Sequence, residues 1–411
     1  MNHTTFDPIP ALPPLLMPFE MAALPKIRFG IGLRDQLAAR IGEISRKPLL
    51  ILSRSVKNSA FGARLIDDLA KMGETPSVFT VSGEPSPETV DEIVQTAPAG
   101  IDRIIGIGGG SALDVAKAVA GLLPRRDSVM DYLEGVGAGK PYHGEALPWL
   151  AVPTTAGTGS ETTKNAVLSR PGQFKKSFRH EALVAKEVWL DPRFLDTVPP
   201  ETLHATALDA LTQLLESYVT CKANPFTDAL AWHGMQLWHG ALDAFKQATD
   251  GKARMDAGGR LMLAATLSGI TLANAGLGAV HGLAGPLGAF THAPHGMACA
   301  ALLAPITAAN IHALERDTSP EAATALHKYA QVGRLLSGDA RLPDDAAREA
   351  LITALIRLNE AYGPGSLRRY GLDETAMERI IANCRAGSML GNPLVLPDET
   401  LRAALEAAAG V

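Results

Sequence analysis

The sequence predicts an α/β N-terminal part built on a parallel sheet, over residues 1–195, followed by an all-α part over 196–411. Three observations carry this. Up to residue 190, short apolar runs alternate with segments of helical spacing, the pattern of a parallel sheet covered on both faces. One of those runs breaks into three glycines and then opens a helix. Beyond Pro200 helical spacing continues, and no strand pattern of comparable strength returns.

Taken in order, residues 1–25 are proline-rich and expected to be extended or poorly ordered. Residues 27–32 suit a short strand and 33–44 a helix. PLLIL at 48–52 reads as a buried strand. A helix over 59–72 ends at Gly73, a C′ glycine. SVFTV at 77–81 is the next strand, and 87–95 a helix with Ser86 as cap and Pro87 at its first position. A further strand and helix occupy 102–122, and 149–152 is another strand. Segments 166–169 and 175–180 flank Pro171-Gly172 as a hairpin. The last strand, 188–190, stops at Asp191-Pro192. Helices are then expected over 201–219, 225–247, 253–275, 298–315, 320–336, 344–361, 373–384 and 397–409. Start signals stand at Ser319-Pro320-Glu321, Asp344-Asp345, Asp373-Glu374 and Pro397-Asp398-Glu399.

A chain of 411 residues favours two or three domains. With 46% hydrophobic and 20% charged residues it is an ordinary globular composition, and a net charge of -5 gives no basic surplus for nucleic acid or an anionic membrane. Residues 1–14 lack the basic start and apolar core of a signal peptide, and no transmembrane helix is expected. Cys221, Cys299 and Cys384 are far apart and show no CxxC spacing, so neither a disulfide framework nor a cysteine metal site is expected. A reducing cytoplasm fits.

Three stretches carry chemistry. The first is IIGIGGGSALDVAKAVA at 104–120. Gly108, Gly109 and Gly110 let backbone N–H groups approach an anion, and the helix start adds unpaired donors and a positive dipole end. A phosphate or pyrophosphate suits it; alone, the turn is as readily structural. The second, PTTAGTGSETT at 153–163, offers hydroxyls and N–H groups to phosphate and ribose, or is a polar surface loop. Two such loops after two strands of one sheet fit a ligand site beyond the strands' carboxyl ends. The third spans the helical part. Asp209 and Gln213 lie one turn apart on one helix face, His281 opens HGLAGPLGAF and His295 lies in APHGM. One carboxylate, two imidazoles and an amide oxygen suit Zn2+ or Fe2+, although lone histidines are more often core or surface residues. Gly282, Gly285, Gly288, Pro286 and Pro294 are expected to break the helix between the histidines, so that the rings converge from different elements.

Together these stretches resemble the iron-dependent (group III) alcohol dehydrogenase family. GGGSALDVAKAVA is similar to its GGGSxxDxAK element at Gly108, Gly109, Gly110, Ser111, Asp114 and Lys117, and PTTAGTGSE to its second nucleotide loop. LDALTQLLESY resembles the helix carrying two metal ligands, and HGLAGPLGAFTHAPHGMA the segment carrying the other two. Asn392-Pro393 resembles a further short element, and the likeness runs from about residue 27 to the end. The resemblance implies a Rossmann-like dinucleotide-binding domain and a helical metal-binding domain with the site in the cleft between them. It implies NAD(P)(H)-linked interconversion of a small alcohol with an aldehyde or ketone at Fe2+ or Zn2+, by a homo-oligomer of two or more chains. By position, Asp209, His281 and His295 would be metal ligands, with Gln213 at the fourth place. Gly109, Gly110 and Ser111 would hold the pyrophosphate, with Asp114 in the same element. Thr154, Thr155 and Thr163 would line the adenine and ribose side, Lys175 would lie near the nicotinamide ribose, and Asn165 near the nicotinamide and substrate.

Three departures qualify what the resemblance implies. Gln213 stands where the family has a ligand histidine. Gly285 stands where many members have a histidine on the proton path, so the expected catalytic set is His281, Asn165 and His292, the last as substitute proton donor or as a plain surface histidine. Ser53 and Arg54 follow the strand at 48–52, where NAD-preferring members often carry an aspartate, so a 2′-phosphate would not be repelled and NADP(H) is expected to be tolerated. Gln213 also keeps open a metal-free keto-acid reductase like maleylacetate reductase, against which Asp209, His281 and His295 argue. A non-redox phosphate-ligand-binding protein and an inactive scaffold are the remaining readings.

Overall fold

Alternating apolar side chains build the sheet. The computed structural model describes residues 18–73 and 76–410; the reading of residues 1–17 lies outside them, and 18–25 have no regular structure. The strands are β1 (Lys26–Phe29), β2 (Pro48–Ser53), β3 (Ser77–Val81), β4 (Arg103–Gly108), β5 (Trp149–Pro153), β6 (Asn165–Arg170), β7 (Phe174–Arg179) and β8 (Glu187–Leu190). Six of them form one parallel sheet in the order β1-β8-β5-β4-β2-β3, and β6 and β7 pair antiparallel as a separate hairpin. Leu49, Ile51, Ile104, Trp149 and Ala151 point into one core, and Leu50, Leu52, Ile105, Ile107, Leu150 and Val152 into another on the opposite face. That two-residue period, apolar on both sides, is what a sheet sandwiched between helices requires.

The covering helices are α1 (Leu37–Ile44), α2 (Arg54–Lys57), α3 (Ala60–Lys71), α4 (Pro87–Thr96) and α5 (Gly110–Leu122). Ser86 caps α4 as predicted by accepting from Thr89 N–H, and Ser59, read as the first helical residue, instead caps α3 by accepting from Gly62 N–H. The register pairs Leu52 with Ile107 and Gly108 with Pro153. It therefore brings Ser53, Gly108 and Pro153 to one level at the carboxyl edge of the sheet.

The helical half contains α6 (Pro200–Val219), α7 (Pro225–Trp238), α8 (Ala241–Gln247), α9 (Gly251–Ala275), α10 (Ala279–Phe290), α11 (His295–Leu314), α12 (Pro320–Ser337), α13 (Asp344–Tyr362), α14 (Glu374–Asn383) and α15 (Asp398–Ala409). Two expectations need correction. The helix expected over 225–247 is two helices, because Gly240 takes a left-handed φ of 68° between α7 and α8. The glycines and Pro286 do not break the chain between His281 and His295: they lie inside α10, and the break comes at 291–294. Tertiary bonds hold this poor helix former together at its start, where Asn392 Oδ1 accepts from Ala279 N–H (3.0 Å) and Glu216 Oε1 from Val280 N–H (2.7 Å). α11 is long and apolar enough to cross a membrane by length and composition, yet 72% of its apolar window is buried, and it packs on α6, α10, α13 and α15.

The halves meet where α9 crosses the loop after β5. A Cβ at Gly269 would lie 2.2 Å from the Gly159 carbonyl oxygen and 2.4 Å from Thr162 Oγ1. Thr266 donates to Glu161 Oε1 at 2.9 Å in the same contact. This crossing makes a sign-reversing prediction. Alanine is the better helix former by up to ~1 kcal/mol. Gly269→Ala is nevertheless expected to destabilise by ~1–3 kcal/mol, the range for overpacking. The midpoint of urea unfolding reads it.

Candidate active site

The two glycine-rich loops touch at the sheet's carboxyl edge. Gly108 has φ 157°, and a Cβ there would sit 2.7 Å from Ala112 Cβ and 2.8 Å from Ser53 Cβ. The N–H of Thr154 donates to the Gly108 carbonyl at 2.9 Å, tying the second loop to the first. Gly109 caps α5 without a side-chain hydrogen bond, so the first turn's N–H groups have no side-chain acceptor. A Cβ on Gly109 would come within 3.2 Å of Thr155 Oγ1, and one on Gly110 within 2.8 Å of Thr158 Cγ2. A side chain at Gly110 would push Thr158 aside, and one at Gly109 would crowd Thr155. A cradle of backbone donors, the Ser111 helix start and two threonine hydroxyls fits a phosphate group. Thr158 was not singled out in the sequence. Ser53 caps α2, its Oγ accepting from Val56 N–H at 3.3 Å, and Arg54 beside it is exposed.

Asp114 and Thr163 face inward from this cradle. Lys117 is fully buried, and its Nζ donates to Thr163 Oγ1 (2.7 Å), the Asn165 carbonyl (2.7 Å), Ser160 Oγ (3.1 Å) and Asp114 Oδ1 (3.5 Å). Ser160 donates to Asp114 Oδ1, and Val167 N–H donates to Asp114 Oδ2 at 3.1 Å. Burial pushes Lys117 down and Asp114 up in pKa, against their mutual attraction. The cluster clamps α5 to the second loop and β6. The Asn165 side chain is half-buried at the start of β6.

A second cluster forms where α6, α10 and α11 converge. Asp209 Oδ1 lies 3.2 Å from His281 Nε2 and 3.9 Å from His295 Nε2. Glu216 Oε2, two turns along α6, accepts from His281 Nδ1 at 2.7 Å, so Nε2 points at Asp209. The sequence reading missed Glu216, and it missed Cys299. The Cys299 thiol is buried 3.6 Å from His281 Nε2 and 3.9 Å from His295 Nε2, one helical turn beyond His295. Its signal was a mixed HxxxC spacing, which a search for paired cysteines passes over. The donor atoms of Asp209, His281, His295 and Cys299 all lie within 4.8 Å of one another. Gln213 is beside them with its amide turned the other way: Nε2 donates to Asp209 Oδ2 at 3.2 Å, and Oε1 accepts from Ser268 Oγ at 2.7 Å.

The electrostatics suit a cation. Burial opposes charge on Asp209, but His281 and His295 hold its pKa below the ordinary value. Burial also works against a proton on His281, and Cys299, Asp209 and Glu216 together outweigh it and raise its pKa. His295 is pushed down to about 4 by burial and by Lys175, so its imidazole is neutral and its lone pair free. Its Nδ1 is buried with no hydrogen-bond partner among the described residues. A buried carboxylate and two converging imidazoles are donors fit for a divalent metal.

Lys175 borders this cluster from β7, its Nζ 3.0 Å from Glu84 Oε2 and 3.8 Å from where a Gly288 Cβ would stand. Burial raises the Glu84 pKa, and Lys175 more than offsets it. A Cβ at Gly285 would meet open space. His292 stays apart. It is exposed in the connection before α11, its backbone N–H donates to the Tyr370 carbonyl at 2.9 Å, and its ring makes no hydrogen bond to the cluster among the described residues.

Removing the Lys117 ammonium strands the Asp114 carboxylate. Lys117→Met is expected to cost ~3–5 kcal/mol of stability, as for breaking a buried pair. Adding Asp114→Asn should recover part of that loss, because no charge is then left alone. Urea unfolding of the two single variants and the double variant measures it.

Residues 25–192 match the iron-containing alcohol dehydrogenase family, and residues 203–409 match the C-terminal region of the same family. The chain is 32% identical over 392 residues to long-chain-alcohol dehydrogenase 1 of Geobacillus thermodenitrificans (strain NG80-2), covering 93% of this chain and 95% of that one. It is 31% identical over 354 residues to lactaldehyde reductase of Escherichia coli (strain K12), covering 82% and 86%. Among solved structures, a 1,3-propanediol oxidoreductase superposes with a TM-score of 0.84 at 26% identity, over 95% of this chain and 100% of that one. Matched in both halves and along nearly its whole length, the chain belongs to the iron-containing alcohol dehydrogenase family and is an oxidoreductase of that type, which works with a nicotinamide cofactor and a divalent metal.

Proposed function

We propose that the chain interconverts a small alcohol and its aldehyde or ketone in the cleft between a nucleotide-binding domain, residues 1–195, and a metal-binding helical domain, residues 196–411. The single observation that carries this is the convergence of the Asp209, His281 and His295 donors beside Lys175, with the paired glycine loops at the sheet edge. The boundary falls in the turn Pro192–Thr197, between the last strand and α6.

Asp209, His281 and His295 would hold Fe2+ or Zn2+. Glu216 holds His281 by Nδ1, so Nε2 would be the atom offered to the ion once the ion displaces its proton. When bound, the metal supplies Lewis-acid stabilisation of charge on the substrate oxygen, and the nicotinamide supplies the hydride acceptor or donor. Gly109, Gly110 and Ser111 would hold the pyrophosphate at the α5 N-terminus, with Thr155 and Thr158 against the two glycines, and Thr154 and Thr155 would line the adenine and ribose side. Asp114 and Thr163 act indirectly, by fixing the second loop through Lys117. Lys175, now paired with Glu84, would lie near the nicotinamide ribose, and Asn165 near the nicotinamide and substrate. The open space at Gly285 admits water to carry the proton, and His292 exchanges it with solvent from outside.

Ser53 and the exposed Arg54 leave no carboxylate at the end of β2, which supports acceptance of NADP(H) as well as NAD(H). A homo-oligomer is supported by the sheet's outer strand β1, where Ile27 and Phe29, with neighbouring Leu24 and Ile31, expose apolar side chains. The three free thiols support a cytoplasmic location. The second reading, a metal-independent keto-acid reductase, is favoured by one observation: the Gln213 amide nitrogen, not its oxygen, faces Asp209.

The deciding experiment is a panel of aldehydes, ketones and keto acids read at the nicotinamide absorbance, on protein purified anaerobically and analysed for metal. Stoichiometric iron or zinc is expected, with activity on aldehydes lost to a chelator and restored by the ion. Full activity in metal-free protein on keto acids would instead establish the second reading. Ser53→Asp is expected to shift the NADP/NAD ratio of kcat/KM toward NAD by at least ~10-fold, equivalent to ~1.4 kcal/mol.

A further inference from the structure

Gln213 leaves the family's fourth ligand place without an oxygen or imidazole lone pair toward the cluster. Its amide nitrogen is committed to Asp209 Oδ2 and its oxygen to Ser268. The opposite wall supplies a donor instead. His295 and Cys299 are one turn apart on α11 and so share a face. Cys299 is wholly buried, unpaired in any disulfide, and turned toward both imidazoles, with Sγ 3.6 Å and 3.9 Å from the two Nε2 atoms. Bonds of ~2.0–2.3 Å to a tetrahedral ion put donor atoms ~3.3–3.8 Å apart. The Asp209–His281 separation of 3.2 Å and the two sulfur separations bracket that range.

We propose that Cys299 is the fourth metal ligand, bound as a thiolate, and that Gln213 is a positioning residue that holds Asp209. The inference rests on the metal reading above and specifies its ligand set as one carboxylate, two imidazoles and one thiolate. On metal binding the Cys299 proton leaves to solvent and the sulfur–metal bond forms, with no change of oxidation state. Two anionic ligands then neutralise a dipositive ion in a buried site, which lowers the cost of holding it there. A thiolate also tilts the site toward zinc, since soft sulfur ligands select zinc, whereas carboxylate and water suit harder ions.

The test uses the full chain loaded with Zn2+ alone, and separately with Co2+ alone. X-ray absorption at the zinc edge is expected to require one sulfur at ~2.3 Å beside nitrogen and oxygen neighbours. The cobalt protein is expected to show a near-ultraviolet sulfur-to-metal charge-transfer band. Cys299→Ser, with unchanged circular dichroism, should lose both signals and weaken Zn2+ affinity by more than the ~10–100-fold that loss of a ligand's hydrogen-bond partner costs. Gln213→Ala should keep the sulfur signal. Zinc bound by nitrogen and oxygen alone in the unmodified chain overturns the Cys299 assignment and leaves the metal reading standing. Failure to bind either ion overturns the metal reading itself. Because the unmodified chain decides both questions, misfolding of a variant does not rescue the assignment.

Discussion

The carboxylate of Glu216 fixes where the helical half can place its donors. It lies on α6 two turns beyond Asp209, buried, and accepts from the backbone N–H of Val280 and from Nδ1 of His281. A buried carboxylate is costly unless its lone pairs are met, and here the start of α10 meets them. Gly278 offers no capping side chain, and Glu216 shares the work with Asn392, whose Oδ1 accepts from Ala279 N–H. One group therefore helps to cap a helix of low intrinsic propensity, orients an imidazole, and sets the spacing between α6 and α10. The Asp209–His281 distance follows from it.

The sheet half solves a different problem, how to keep an anion cradle open. Strand register brings Gly108 beside Pro153, so the two loops leave the sheet together. Close approach of threonine side chains then leaves little room for a Cβ at Gly109, and at Gly110 one would displace Thr158. Loops this rich in glycine have little conformational preference of their own. The Lys117 ammonium supplies the missing rigidity, bonding oxygens from α5, the second loop and the first residue of β6. Buried charge here serves the geometry of a site that it does not enter.

Features set by local chemistry were legible in the sequence. Ser86 and Ser319 cap the helices they were expected to cap, and the unbroken apolar run Leu49 to Leu52 forms a strand buried on both faces. Features set by a distant partner were not. Residues 279–290 contain three glycines and a proline, and read locally as a broken segment. They form a helix because Glu216 and Asn392 bind its first turn and because Gly282 packs against Met389. The direction a side chain takes was equally hidden. Asp114 and Thr163 belong to the nucleotide motifs but turn toward Lys117, and His292 shares a segment with His281 and His295 but faces solvent. Cys299 carried the same i, i+4 relation to His295 that marked Asp209 and Gln213. Pairing by residue type concealed it.

That relation also bears on why an amide is tolerated at 213. An imidazole there would add a ligand. The amide adds a bridge, because it both donates and accepts. Its nitrogen holds Asp209 Oδ2, and its oxygen takes the Ser268 hydroxyl, which also lies 3.4 Å from the Gly157 carbonyl in the second glycine loop. Gln213 and Ser268 thus link the Asp209 carboxylate to α9, which lies against the second glycine-rich loop. Gly269 lets α9 lie close enough to the loop for Ser268 to reach it. The separation of the two clusters is set by this packing of α9 backbone against the loop.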